Sequence, residues 1–502
     1  MTPSTTTVVV PTVGRPTLAV FFSALARQSR PVTAPVILVD DRPSGPDLAQ
    51  WLAQEVPHHG LDVRVLRAGG GGPARARNIG WRHARSRWVS FLDDDVVPDR
   101  DWYETLADDL ARAEARDCVG STGRVRVPLS GHRPPTDWER STAGLETARW
   151  ITADLSYRRD ALSEVGGFDE RFPRAFREDA DLALRLGGER RILDGARWIT
   201  HPVRPADDWA SLRQQAGNAD DLLMRAVHGR DWHRRAGAPV GRRPRHLAVS
   251  AAAAVALAGL VARRRAVALA GLAAWTAGTA ELAWARIAPG PRDTDEVRRM
   301  VLTSAAIPLA ATYHSARGAL RHRGARPWRG LPELVLLDRD GTLVHDVPYN
   351  GDPALVRPVD GVRESLDRLR AEGVRLAVVT NQSGVASGRL TREQVDAVNA
   401  RVEELLGPFD VVEVCPHGPA DGCGCRKPAP GMLKRACAET GVDPGRAVMI
   451  GDIGADVEAA SAAGVSAVLV PTPATRAEEV AAARRVAPSF AAAVSSIMAG
   501  EW

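Results

Sequence analysis

Hydrophobic and polar positions along the chain fall into three patterns. From residue 1 to about 235, short β-branched runs ("TTTVVVP", "APVILVDD", "DVRVLRA", "RWVSFLDDD") alternate with amphipathic stretches such as "RPTLAVFFSALARQ". Such runs predict buried strands, and their alternation with helical stretches predicts an α/β layer around a mainly parallel sheet. From about 240 to 325 the pattern becomes Ala-rich and apolar: "HLAVSAAAAVALAGLVA", then "RRR", then "AVALAGLAAWTAGTA", then a weaker "VLTSAAIPLAAT". Each run is shorter than the ~18–20 residues of a spanning helix. From 331 to 502 the α/β alternation returns in "ELVLLDRDGT", "VRLAVVTNQSG", "AVMIGDIGAD" and "SAVLVPTP", with "REQVDAVNARVEELL" as an intervening helix. Three regions are therefore expected, 1–235, 240–325 and 331–502, with no repeat of fixed period.

Composition changes this picture only in part. The chain has 502 residues, 44% hydrophobic and 25% charged, which fits several packed cores and excludes wholesale disorder. A net charge of +5 suits anionic small substrates or a membrane surface. No nucleic-acid-binding signature accompanies it, so no nucleic-acid partner is expected. All but two of the 66 basic residues are arginine, and the two lysines are Lys427 and Lys434. Against that background Lys427 marks a place where a compact ammonium is needed. Five clustered cysteines and a first stretch without a signal-peptide pattern point to a reducing, cytoplasmic setting.

The third region carries four chemical signals in order. "LLDRDGTL" ends a strand in Asp338 and Asp340, two carboxylates able to divide the work of nucleophile and proton donor. "VVTNQSG" ends another and offers Thr380, Asn381 and Ser383 to phosphate oxygens. Lys427, beside Arg426, can neutralise phosphate charge. "MIGDIGAD" supplies Asp452 and Asp456, hard oxygen ligands for Mg²⁺. Between the second and fourth signals, Cys415, His417, Cys423 and Cys425 form C-x-H-x5-C-x-C, a ligand set for one structural Zn²⁺ that would stiffen the loop leading into Arg426 and Lys427. Cys118 and Cys437 lie outside the cluster and read as ordinary buried cysteines.

The four signals resemble the haloacid dehalogenase (HAD) superfamily. With the zinc motif added, they look like the D-glycero-D-manno-heptose 1,7-bisphosphate 7-phosphatase family, to which zinc-bearing histidinol-phosphate phosphatases are close relatives. The resemblance implies that Asp338 forms an aspartyl-phosphate and that Asp340 is the general acid and base. It also implies that Asp338, Asp452 and the Asp340 carbonyl hold Mg²⁺. The segment between His417 and Cys423 is shorter than the family pattern, which bears on the sugar recognised.

In the first region "VSFLDDDVVP" ends a strand in Asp93, Asp94 and Asp95. Adjacent acids need a compensating cation or solvent. "VVVPTVGRP" and "VILVDDRPSG" precede it. "GGGGPARARNIG", "FREDADLALRL" and "WITHPVRP" complete the set. Together they resemble family 2 glycosyltransferases of the GT-A fold. The resemblance implies that Pro11, Asp40, Asp41 and Arg77 contact the nucleotide, and that Asp93 and Asp95 bind Mg²⁺ or Mn²⁺. It further implies that Asp179 deprotonates the acceptor hydroxyl, with Glu178 beside it in the substrate site. His201 is either a further metal ligand or a structural histidine.

The expected fold is α/β: a GT-A nucleotide-sugar-binding sheet and a HAD-like Rossmannoid sheet, joined by the Ala-rich helical region. The expected function is two-headed. One head transfers a sugar from a nucleotide-sugar donor to a glycan or lipid acceptor with inversion. The other hydrolyses a sugar phosphate, in the leading reading heptose 1,7-bisphosphate. The alternatives are a histidinol-phosphate-type phosphatase, or one half acting only as a binding or scaffold module. Because Arg263, Arg264 and Arg265 separate the runs Leu247–Ala262 and Ala266–Ala280, the middle is expected to contact the inner leaflet of a membrane rather than cross it. The competing reading is a soluble helical pair packed on the transferase.

Overall fold

The computed structural model describes residues 5–55, 60–188, 191–325, 327–498, 500 and 502. The chain divides into two compact units, Met1–Trp328 and Arg329–Trp502.

Among the described residues of the first unit, eight strands form one sheet: β1 Thr6–Thr12, β2 Val36–Asp40, β3 Val63–Arg67, β4 Trp88–Leu92, β5 Val97–Pro98, β6 Gly120–Arg126, β7 Asp154–Arg158 and β8 Ile192–Thr200. Their order is β3-β2-β1-β4-β7-β6-β8-β5. The first four are parallel, while β7 pairs antiparallel with both β4 and β6. The sheet is thus mixed, with four parallel pairings and three antiparallel ones. Strands buried on both faces read as the same apolar run whichever way they point, so the pattern does not fix direction. In β1, Val9 enters one core while Val8 and Val10 enter the other, which is why the run is uninterrupted.

The far half of this sheet is held by charge. Arg197 on β8 is fully buried. It donates to Asp154 at 2.8 Å and to Asp109 at 3.2 Å, and Trp102 donates to the second Asp154 oxygen at 2.7 Å.

Three helices follow, Arg243–Val261, Arg265–Ile287 and Thr294–Arg321, and they belong to the same compact unit as the sheet. The first two form a hairpin. Gly259 and Gly271 allow its close packing, since a Cβ at either would lie 2.4–2.5 Å from a backbone nitrogen of the other helix. The helices exceed the apolar runs predicted for them. The first begins at Arg243 and the second continues to Ile287, so both are long and apolar enough to cross a membrane by length and composition. The runs looked short because charged residues at their ends are still helical. The third helix buries Met300, Ile307 and Ala311 and sets Gly318 against Ala219 of the helix Gly217–His228.

In the second unit the described strands are β9 Leu334–Leu337, β10 Arg375–Asn381, β11 Val411–Cys415, β12 Ala447–Gly451 and β13 Ser466–Leu469. They form an all-parallel sheet in the order β11-β10-β9-β12-β13. Val335 and Leu337 face one core, Leu334 and Leu336 the other.

Removing Arg197 leaves the buried Asp154 without its cation and Asp109 with only the half-exposed Arg112. Arg197→Ala is expected to cost the first unit about 3–5 kcal/mol. The readout is the urea midpoint of tryptophan fluorescence, since all but one of the 13 tryptophans precede residue 329. An unchanged midpoint would refute the assignment.

Candidate active sites

Ligands of open α/β sheets bind beyond the carboxyl ends of the strands, where the strand order reverses. In the first sheet that place lies between β1 and β4. β1 delivers Thr12 there, and β4 runs into Asp93, Asp94 and Asp95. Each aspartate has its own arginine. Arg77 donates to Asp93 at 2.9 Å, and also to Glu178 at 2.8 Å. Arg15 donates to Asp94 at 2.7 Å, whose other oxygen accepts from Thr12 at 2.6 Å. Arg204 donates through Nε to Asp95 in a short contact. Burial works to raise the pKa of both Asp94 and Asp95. For Asp94 it prevails. For Asp95 the bond from Arg204 and the nearby positive charges outweigh it and bring the carboxyl below its ordinary value.

Asp93, Asp95 and His201 bring donor atoms within 4.8 Å of one another. His201 Nδ1 lies 3.1 Å from the carbonyl of Pro202, which can only accept. Nδ1 therefore carries a proton, which leaves Nε2, 3.9 Å from an Asp95 oxygen, as the ring nitrogen that faces the carboxylates. The other Asp95 oxygen is buried without a hydrogen-bond partner. Two carboxylates, one with an orphaned oxygen, and an imidazole nitrogen facing them suit a divalent cation.

Two cavities meet at this point. One, about 180 Å³, is lined by Pro11, Arg15, Asp41 and Arg77 among others. The other, about 280 Å³, is lined by Glu178, Asp179, His201 and Gln214 among others. Asp93, Ala175 and Arg204 line both. Two nucleotide contacts expected from sequence are otherwise engaged. Asp40 is buried in a two-pronged ion pair with Arg42 and lines neither cavity. Arg77 borders the first cavity, but its guanidinium is buried between Asp93 and Glu178. Asp41 accepts from the backbone of Gly72 at 3.0 Å and so shapes the glycine loop.

Glu178 and Asp179 open the helix Glu178–Arg185. Burial pushes Glu178 up to about 8, helped by the adjacent Asp179 charge, and burial also raises Asp179. The helix is pinned at both ends. Arg177, at φ 79°, donates to Asp221 at 2.8 Å and lies over Phe176 and Trp232. Asp181 bonds His228 at 2.7 Å and Arg185 at 2.7 Å. Asp221 and His228 both belong to the helix on which the long third helix packs.

The second site lies where β9, β10 and β12 end. Asp338, Asp452 and Asp456 offer oxygens within 4.8 Å of one another, all three buried. Lys427 reaches into them. Its ammonium makes a short contact to Asp338, donates to the carbonyl of Val379 at 2.8 Å, and lies 2.7 Å from an Asp456 oxygen as an ion pair. Burial opposes the charge on Lys427, but the two carboxylates hold it protonated. Burial, then crowding by other carboxylates, lifts Asp338 well above the usual range and Asp452 to about 6. Three buried carboxylates around one ammonium leave room in the charge balance for a divalent cation, which such hard oxygens fit. Gly341, at φ 83°, cradles Asp452: a Cβ there would lie 2.3 Å from its oxygen.

Asp340 is held by Arg339 at 2.9–3.0 Å and by Gln382 at 2.8 Å, and Gln382 also donates to Thr380. Asn381 uses both ends of its amide on the backbone of Lys427, at 3.0 and 3.1 Å. It orients the lysine loop. Ser383 is half-buried beyond it. Arg426 donates to the carbonyl of His417 at 3.3 Å. Cys415, His417, Cys423 and Cys425 converge, with five donor pairs 3.3–3.7 Å apart. The sequence singled out neither Arg15 nor Arg204, and neither Arg339 nor Gln382, although each lies inside a quoted motif.

Known proteins match the two units separately. The family model described as glycosyl transferase family 2 matches residues 7–172, and a HAD-hydrolase-like model matches residues 424–493. The D-glycero-beta-D-manno-heptose-1,7-bisphosphate 7-phosphatase of Pseudomonas aeruginosa is 40% identical over 144 residues, 28% of this chain and 81% of that protein. The one of Pseudomonas putida is 36% identical over 149 residues, 28% of this chain and 83% of that protein. The crystal structure of the D,D-heptose 1,7-bisphosphate phosphatase of B. bronchiseptica, complexed with magnesium and phosphate, aligns at 30% identity. It covers 33% of this chain and 98% of that one, with a TM-score of 0.31. The chain is an enzyme with two activities, sugar transfer and phosphate-ester hydrolysis. It carries a family 2 glycosyltransferase domain at its N-terminal end and belongs, through its C-terminal unit, to the D-glycero-beta-D-manno-heptose-1,7-bisphosphate 7-phosphatase family.

Proposed function

We propose that the C-terminal unit removes a phosphate from a sugar bisphosphate of the heptose 1,7-bisphosphate class, and that the N-terminal unit transfers a sugar with inversion from a nucleotide-sugar to a glycan or lipid acceptor. The observation that carries the phosphatase reading is Lys427, buried between Asp338 and Asp456 at the strand ends. The name of the matched relatives supports the substrate class.

Asp338 attacks phosphorus, the ester P–O bond breaks, and Asp340 gives the departing sugar oxygen its proton. Water then attacks the aspartyl-phosphate, Asp340 takes its proton, and phosphate leaves with Asp338 restored. Lys427 neutralises the phosphoryl oxygens and favours the ionised form of Asp338 against the burial that opposes it. Thr380 offers a hydroxyl, and Gln382 with Arg339 fixes the Asp340 carboxylate. Mg²⁺ bound by Asp338, Asp452 and the Asp340 carbonyl supplies charge to offset the phosphate. In the other unit Asp179 takes the acceptor proton. Its raised pKa suits a base that must hold that proton. Asp93, Asp95 and His201 hold Mg²⁺ or Mn²⁺, which offsets the charge of the nucleotide diphosphate.

Zn²⁺ fits the Cys415, His417, Cys423 and Cys425 cluster. A tetrahedron with Zn–S bonds near 2.3 Å has ligand–ligand edges of about 3.8 Å, close to the 3.3–3.7 Å found. The zinc holds the loop that delivers Lys427. The helical hairpin seats in the cytoplasmic leaflet. Its middle is uncharged and exposed, as at Leu257, Leu260, Leu269 and Leu272, while arginines stand at its tip and base.

Five outcomes follow. Asp338→Asn lowers phosphate release at least about 10³-fold and leaves sugar transfer intact. Asp179→Asn lowers sugar transfer about 10²–10⁴-fold and spares phosphate release. Among heptose 1,7-bisphosphate, histidinol phosphate and hexose phosphates, kcat/KM is highest for the first; a preference for histidinol phosphate replaces this reading. Purified protein holds about one zinc per chain by elemental analysis, and Cys425→Ser loses it; a full zinc complement in that variant removes the site. Wild type pellets with phosphatidylglycerol vesicles, and serine at Leu257, Leu260, Leu269 and Leu272 together moves it to the supernatant. Wild type remaining in the supernatant rejects the membrane seat.

A further inference from the structure

The two cavities of the N-terminal unit share three lining residues, Asp93, Ala175 and Arg204. If the first receives the nucleotide and the second the acceptor, their junction is where the bond from sugar to diphosphate breaks. Arg204 is the basic residue of that junction. Arg77 borders only the first cavity and is 1% exposed, fixed between Asp93 and Glu178. Arg15 also borders only the first and is paired with Asp94. Arg204 is 40% exposed, close to the 37% of Arg15, but it borders both cavities and is tied to the protein through Asp95, a proposed cation ligand. Its carbonyl accepts from Trp138 Nε1 at 2.7 Å, so its backbone is anchored while its side chain can turn. The segment around it, residues 201–207, has no regular secondary structure.

Charge decides what this arrangement does. Arg15 and Arg204 pair with Asp94 and Asp95, and Arg77 is shared between Asp93 and Glu178. A divalent cation at Asp93 and Asp95 makes the Arg204 charge surplus at the moment a diphosphate arrives beside it. We propose that Arg204 is a catalytic residue of sugar transfer: it stands in for the cation against Asp95 in the resting enzyme, then swings to the departing diphosphate. This rests on the glycosyltransferase reading of the two cavities. The acceptor oxygen bonds to the anomeric carbon and its proton passes to Asp179. The anomeric C–O bond to phosphate breaks, and its electron pair stays on the phosphate oxygen. Arg204 donates hydrogen bonds to that oxygen, whose charge appears only as the bond breaks.

The test uses the full chain in an Asp452→Asn background, which weakens the phosphatase cation site. Free Mn²⁺ is followed by electron paramagnetic resonance, alone and with inorganic pyrophosphate as the probe. Arg204→Ala is expected to bind Mn²⁺ about tenfold tighter, because a competing cation is gone, and pyrophosphate with Mn²⁺ about tenfold weaker. Unchanged or weaker Mn²⁺ binding overturns the stand-in, and unchanged pyrophosphate binding overturns the leaving-group role. If Arg204→Ala melts early by circular dichroism, Arg204→Gln, neutral and long, carries the same two expectations. Failure of both the Arg204 parent and Asp93→Asn to differ in Mn²⁺ binding at this site instead removes the metal-dependent reading beneath the proposal.

Discussion

Carboxylates buried at the carboxyl edge of a sheet must be matched by positive charge, and both active sites are built around that demand. An ionised acid in a low-dielectric crevice is costly unless it is paired and hydrogen-bonded. The two units meet the demand with different cations. The three consecutive aspartates after β4 take one arginine each, drawn from β1's exit loop, the helix Pro73–His83 and the segment after β8. The acids after β9 and β12 share a single lysine. An ammonium gathers its donors and its charge on one atom, and Lys427 donates to Asp338 and the Val379 carbonyl while its charge pairs with Asp456. A planar guanidinium does not present its donors from one centre. That is a physical reason for a lysine in a chain whose basic residues are otherwise nearly all arginine.

Position is enforced by residues that never face the reacting atoms. Asn381 closes both ends of its amide on the Lys427 backbone, and Gln382 ties Asp340 to Thr380. The Cys/His cluster begins at Cys415, whose carbonyl accepts from the Gln382 backbone at 2.7 Å. In the first unit, Asp221 and His228 on one helix grip Arg177 and Asp181 on either side of Glu178 and Asp179. The long helix Thr294–Arg321 packs on that same helix through Gly318 and Ala219. The helical region is therefore connected by packing to the acidic helix of the site, and is more than a spacer in sequence.

The strand ends and their polar groups were legible because β1, β2, β4, β9, β10 and β12 are buried on both faces and read as apolar runs, ending in aspartate at β2, β4, β9 and β12 and in Thr12 and Asn381 at β1 and β10. The helix Arg392–Leu406 was legible from its 3.6-residue period. The strands β6, β7 and β8 were not, since their buried positions include Ser121, Asp154, Ser156 and Arg197, a polar network with no hydrophobic signature. Asp93, Asp95, His201, Asp338, Asp452 and the four Cys/His ligands converge as their motifs suggested. Arg15 and Arg204 were hidden by abundance, because nothing local distinguishes an inward-facing arginine among so many. Asp40 and Asp41 are neighbours at one strand end, yet the alternation of a strand sends them to different partners: Asp40 to Arg42, Asp41 to the glycine loop.

The resting charge of the two sites differs in a way that follows from these pairings. Around Asp93, Asp94 and Asp95 three arginines stand against three carboxylates, with Arg77 shared with Glu178 and with Asp179 buried beside them. Around Asp338, Asp452 and Asp456 a single ammonium leaves negative charge in excess, which adds to burial in raising the pKa values of Asp338 and Asp452. A cation entering the second site meets an attractive field on its own account. A cation entering the first has to displace an arginine, and is favoured when it brings a diphosphate for that arginine to bind. One chain thus uses the same element of design, acids at a sheet edge, as a standing cation trap in one unit and as a charge exchange in the other.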